Sequence, residues 1–115
     1  MSAARVAVGA RDANVIILLA KDGTAILPAV KKATDAGIPV IAYDRLIEDA
    51  KTFYITFDNK LVGKLQAQAL FDKVPKGNWA IIKGNKADAN ADFLRAGGEE
   101  VIGAAVKSGD IKIVG

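Results

Sequence analysis

The sequence predicts an α/β protein: a parallel β-sheet with flanking helices, Rossmann-like in kind, with about five strands and three helices. Three observations predict it. Short, nearly continuous apolar runs recur along the chain (VIILLA, IPVIAY, WAIIK), and such runs suit strands covered on both faces in a parallel sheet. Amphipathic stretches of helical spacing lie between them. The two kinds alternate, which is the βαβ arrangement.

The predicted strands are 15–20, 38–43, 53–57, 79–83 and 111–114. Pro39 fits only near the start of its strand. The first predicted helix, 24–36, places Ile26, Val30 and Ala33 inward. Thr24 is its candidate cap, Pro28 lies in the first turn and Gly37 is its stop. The second, 60–73, follows the capping pair Asp58-Asn59 and presents Leu61, Leu65 and Ala69 on one face. Pro75 and Gly77 end it. The third, 90–107, turns Leu94, Val101, Ile102 and Ala105 inward, and Gly97-Gly98 weakens it by about 1 kcal/mol each relative to Ala. The first dozen residues read as the tail of an element. No linker composition marks a boundary, and no repeat of fixed period is present.

Composition removes whole classes of chemistry. The 115-residue chain has no Cys and no His, which excludes thiol catalysis, disulfides, most zinc sites and the usual acid/base near neutral pH. Its two serines, Ser2 and Ser108, have no His to activate them. The net charge of +3 comes from Lys and Arg spread along the chain, so nucleic acid is not expected as a partner. The longest apolar run is far too short to span a bilayer. No charged leader with an apolar core opens the sequence.

Ligands of open parallel sheets bind beyond the carboxyl ends of the strands. Asp44-Arg45 follows the second strand and offers acceptor oxygens beside a rigid fork of donors. That combination suits a polyol, whose hydroxyls both donate and accept. The plainer reading is a turn with a local ion pair. Asp88, Asn90 and Arg95 form a second cluster. Asn90 is a candidate cap for the third helix, and Arg95, seven residues after Asp88, falls on roughly the same helical face. Here the plainer reading is capping plus a solvated Arg. Gly84-Asn85-Lys86 after the fourth strand is a weak phosphate-loop signal, since neither glycine fingerprint of nucleotide binding is present. It keeps a flavodoxin- or receiver-type domain open as an alternative. Trp79 and Phe93 read as core.

The stretch IPVIAYDRLIEDAKTFYITFDNKLVGKLQAQAL, followed by FLRAG, resembles the periplasmic sugar-binding proteins of ABC importers, of the type I fold, and within them the D-xylose-binding branch. The resemblance rests on strand-Asp-Arg, then an aromatic strand ending Phe-Asp-Asn, then Asp-x-Asn-x4-Arg-Ala-Gly. It covers about residues 14–115. It implies that Asp44, Arg45, Asp88, Asn90 and Arg95 hydrogen-bond a pentose in an interlobe cleft. Residues 1–56 would then be part of a first lobe and 57–115 part of a second, unless both pack as a single α/β unit. Phe57, Asp58 and Asn59 would lie at the hinge. It also implies capture without chemistry, no cofactor, docking on a membrane permease and a periplasmic or extracytoplasmic location. The chain is short for that family, so millimolar affinity or none is expected. Bare sheet edges predict self-association as a homodimer, or rearrangement of the strands into one sheet.

Overall fold

The computed structural model describes residues 13–115. The reading of the first dozen residues as the tail of an element falls outside them. The elements are β1 (Ile16–Leu18), α1 (Leu27–Asp35), β2 (Val40–Tyr43), β3 (Phe53–Ile55), α2 (Asn59–Phe71), β4 (Gly77–Trp79), α3 (Ala89–Ser108) and β5 (Ile111–Ile113). The predicted α/β class with five parallel strands and three helices is what the described residues form. The strands make two sheets, ordered β1-β2-β3 and β4-β5, not one. The chain divides into two compact units. The first runs to Thr56 and includes Ala87–Ala89; the second holds Phe57–Lys86 and Asn90–Gly115.

In the first unit the three strands pair in parallel, so that Leu18, Ala42 and Tyr54 stand in one row and Ile17, Ile41 and Phe53 in the next. Side chains alternate between faces along a strand, and the two faces differ. Ala20, Val30, Ala33, Val40, Ala42 and Ile47 are buried together, with Ile16, Leu18, Ile26, Leu27, Ile38 and Tyr54 packed against them. On the other face, Ile17, Leu19, Tyr43, Phe53 and Ile55 are all exposed. The expectation of strands covered on both faces therefore fails here. A continuous apolar run does not reveal which face its own chain covers, and α1 covers one.

Helix α1 buries Val30 and Ala33 as its spacing predicts, and the exposed Lys31 pairs with Asp35 at 2.7 Å. Its start differs from expectation. Ile26, not Thr24, is the cap residue, and no side chain caps it. Asp22 instead accepts from the amides of Thr24 and Ala25, both at 2.9 Å, closing the turn before the helix. Those two amides hold the exposed Asp22 carboxyl below its ordinary pKa. The helix ends where predicted. Gly37 takes φ +76°, its N–H donates to Thr34 O and that of Ile38 to Ala33 O, the paired bonds that close a left-handed C-terminus.

The second unit pairs Gly77 with Ile111 and Trp79 with Ile113. Strand β4 thus begins two residues before its apolar run, because the ladder is set by its partner. The end of the run is left unpaired, and Ile82 is fully exposed. Trp79, Ile102 and Ile111 form the core with Ala67, Phe71, Val101 and Ala105 against them. Phe93, expected in a core, is 40% exposed.

The predicted inner face of α2 is its outer face: Leu61 and Leu65 are exposed, and Gly63 is buried. The glycines decide this. A Cβ on Gly63 would stand 2.1 Å from the Leu94 carbonyl oxygen, and one on Gly97 would stand 2.0 Å from that of Lys60. Helices α2 and α3 touch backbone to backbone at this point. The intrinsic cost of Gly97 in a helix is offset by a contact that no side chain would allow.

Candidate functional site

Strand β2 ends in a sharp corner. Asp44 has φ +65° and, among the described residues, is the one non-glycine with positive φ. The Arg45 N–H donates to Tyr43 O at 2.7 Å, closing a three-residue turn around Asp44. Left-handed geometry is tolerated by Asp better than by most residues, yet it costs on the order of 1–3 kcal/mol and persists only where neighbours over-determine it. The neighbours are visible. Asp44 N–H donates to Ile55 O at 2.8 Å. Its carbonyl accepts from Thr56 Oγ1 at 2.9 Å and from Tyr54 Oη at 3.3 Å. Both donors rise from β3 and the residue following it, two apart, hence on the same face.

The corner presents Arg45, whose Nε lies 3.3 Å from Asp88 Oδ2, with side-chain exposures of 37% and 18%. Both residues belong to the first unit. A pair this open contributes about 0–1 kcal/mol to folding. Its larger consequence is orientation: a guanidinium carries five donors in a fixed fork, and the ion pair fixes the fork through Nε. The structure thus brings Asp44, Arg45 and Asp88 to one corner at the carboxyl end of β2.

Asn90 and Arg95 belong to the second unit. Helix α3 starts at Ala89, so Asn90 is inside the helix and is not its cap. It is buried, and its Oδ1 accepts from Asn59 Nδ2 at 3.0 Å. Arg95 donates through Nε to Glu99 Oε1 at 2.5 Å, one turn along the helix. The shared helical face read for Asp88 and Arg95 is not found, because Asp88 precedes the helix and turns to Arg45. Arg95 also borders a cavity of about 300 Å³ floored by Trp79, Ile81 and Ile102, with Lys83 and Glu99 among its lining residues. Lys83 is held by Asp92.

Of the hinge candidates, Asp58 caps α2: its Oδ1 accepts from Leu61 N–H at 2.9 Å. Asn59 begins that helix and reaches Asn90, and Phe57 is 77% exposed. Sequence reasoning missed Tyr54 and Thr56. The available signal was two hydroxyls at period two on a strand following the Asp-Arg step. Nothing local showed that they meet Asp44, because that depends on the β2–β3 register. Among the described residues no group of acidic side chains is gathered to hold a metal ion.

Residues 6–115 match the family described as periplasmic binding protein domain. The chain belongs to that family. Among curated relatives, the D-xylose-binding periplasmic protein of Escherichia coli is 46% identical over 106 residues, covering 91% of this chain and 32% of the relative. The chain thus spans about a third of the length of the curated relatives it matches. A solved ABC transporter solute-binding protein of Clostridium phytofermentans with bound β-D-glucose superposes with a TM-score of 0.88 at 28% identity, over 96% of this chain and 37% of that one. A carbohydrate transporter solute-binding protein of Chloroflexus aurantiacus, in complex with D-glucose, gives 0.87 at 34% identity, over 96% and 34%. The periplasmic-binding-protein fold implied by the strand-Asp-Arg and Asp-x-Asn-x4-Arg-Ala-Gly pattern is therefore the fold of this chain.

Proposed function

We propose that this chain is the sugar-contacting part of a solute-binding protein of an ABC importer, and that it takes a xylose-like pentose by hydrogen bonding, with no chemistry. One observation carries the reading. Asp44, Arg45 and Asp88 are gathered at the carboxyl end of β2, in a chain 46% identical to a D-xylose-binding protein. Carboxylates accept from sugar hydroxyls and the guanidinium donates to them. Asn90 and Arg95 supply further partners. Residues 1–56 and 57–115 are then parts of two lobes, Phe57, Asp58 and Asn59 lie at the hinge, and the sugar is held between the lobes. A sugar drives closure only through its higher affinity for the closed form. The closed form is what a membrane permease on the periplasmic side would read.

The test is calorimetry with D-xylose, D-ribose, L-arabinose and D-glucose, on this chain and on one extended at both ends. Heat with a pentose, lost in Arg45→Ala and Asp88→Ala, is expected. No heat with any pentose from the extended protein ends the reading.

The bare face of the first sheet favours a second reading for the isolated chain. Ile17, Leu19, Phe53 and Ile55 form a contiguous exposed apolar surface, and such surfaces pair with others. This reading has the chain self-associate without taking a sugar. Light scattering after size exclusion decides it: a monomer that binds a pentose excludes it.

A further inference from the structure

We propose that Tyr54 and Thr56 are positioning residues for the polar corner: their hydroxyls, donated to the Asp44 carbonyl, hold Asp44 in the left-handed conformation that sets the direction of Asp44 and Arg45. The inference deepens the sugar-binding reading and rests on it for its functional consequence.

The argument starts from the ladder. Strands β2 and β3 pair in parallel through Tyr43 and Ile55, and the Asp44 N–H continues that pattern to Ile55 O. There the pattern stops. The Arg45 N–H turns back to Tyr43 O, so the chain leaves the sheet at the Asp44 carbonyl. A ladder would supply that carbonyl with a backbone partner. Here two side-chain hydroxyls supply it instead, Thr56 Oγ1 at 2.9 Å and Tyr54 Oη at 3.3 Å. A carbonyl oxygen has two lone pairs, so both bonds form together. Two donors from one strand face fix the plane of the Asp44–Arg45 peptide. That plane determines where the Asp44 carboxylate and the Arg45 guanidinium leave the backbone, and hence the approach of Arg45 Nε to Asp88.

A strained corner held by replaceable hydroxyls is also a place where specificity is set without touching the ligand. Sites held within about half an ångström bind by preorganisation, and a rotated peptide plane misplaces two polar groups at once.

The experiment has two readouts, the first on this chain. The first is the intraresidue HN–Hα NOE of Asp44, which is strong when φ is positive. It is expected to be strong in the unmodified chain and in Thr56→Ser, weaker in Tyr54→Phe, and lost in Tyr54→Phe/Thr56→Val. The remaining amide spectrum reports whether each variant keeps the fold. The second is the Kd for D-xylose by calorimetry, on the protein extended at both ends. It is expected to rise about tenfold in Thr56→Val and to recover in Thr56→Ser, as for a lost hydrogen bond acting through geometry. A strong Asp44 NOE persisting in the folded double variant overturns the inference. So does a lost NOE with an unchanged Kd. If the unmodified extended protein binds no pentose, the sugar reading fails by itself, while the NOE series still decides whether the hydroxyls hold the corner.

Discussion

In the first unit, the backbone turn at Asp44 closes on Tyr43 and Ile55 and on the hydroxyls of Tyr54 and Thr56, and Arg45 reaches forward to Asp88. In the second, Asn90 and Arg95 ride on α3, which is seated where Gly63 and Gly97 let two helices touch. The two regions reach a fixed geometry by different means. Substitution at the first rotates one peptide and redirects two side chains. Substitution at the second displaces a whole helix and every group on it. Each unit also has its own apolar cluster, with no residue in common, so damage to one core does not remove a buried contact from the other.

The substitution with the largest expected effect tests that independence. Gly97→Val places a branched side chain where even a Cβ meets the Lys60 carbonyl at 2.0 Å. Overpacking against backbone is expected to destabilise the second unit by about 3 kcal/mol. Hydrogen exchange should then lose protection at Ile102 and Ile111 while Val40 and Ala42 keep theirs. Equal loss in both places would break the comparison and show one cooperative unit.

Next in size is Asp58→Ala, which removes the side-chain cap of α2. It is expected to cost about 1 kcal/mol in urea denaturation, with Asp58→Asn recovering most of it. An unaffected midpoint would mean that the helix start is held by the Asn59–Asn90 bond instead.

Gly103→Ala is the counterpart of Gly97. It lies in the same helix with nothing within 4 Å of an added Cβ, so helix propensity alone applies. A gain of about 0.5–1 kcal/mol is expected. A loss would show that α3 makes a close contact at Gly103 in solution.

The smallest effect is that of acid. Glu100 is held below its ordinary pKa by Lys60 and then Lys64, and Asp110 by Lys76 and Ser108. Asp22, in the first unit, is held down by backbone amides. A depressed folded pKa means stabilisation that is complete above the ordinary carboxylate range, about pH 4. It is lost as pH falls through each folded value. All three groups are exposed, so the loss is small. Added salt should remove most of the part due to lysines and little of the part due to Asp22. Identical urea midpoints at pH 7 and pH 3 would contradict this.

Much of the fold was legible because apolar runs and glycine stops act locally. Strands β1, β2, β3 and β5, the buried Val30 and Ala33, the stop at Gly37 and the cap at Asp58 all follow from neighbours in sequence. What was not legible depends on distant partners. Strand β4 is placed by Ile111–Ile113. The inner face of α2 is chosen by a helix crossing at glycines, which hydrophobic periodicity scores as a gap, so periodicity puts Leu61 and Leu65 on the wrong side. The site divides in the same way. Asp44-Arg45 stood out as two charges at the end of an apolar strand. The turn to Asp88, the Asn59–Asn90 bond and the hydroxyls under Asp44 needed the register.

The stretch Ala87–Ala89 belongs to the first unit although the chain has meanwhile built half of the second. During synthesis this imposes an order of events. The β1–β2–β3 sheet pairs only consecutive strands, so it can form as soon as residue 56 has emerged. Arg45 then waits for Asp88, roughly thirty residues after that point, or about 2–6 s at ordinary elongation rates. For that interval the nascent chain carries a finished sheet with an unpaired guanidinium at its corner. The ion pair is the last piece of the first unit to be set, supplied by a residue made long after its sheet.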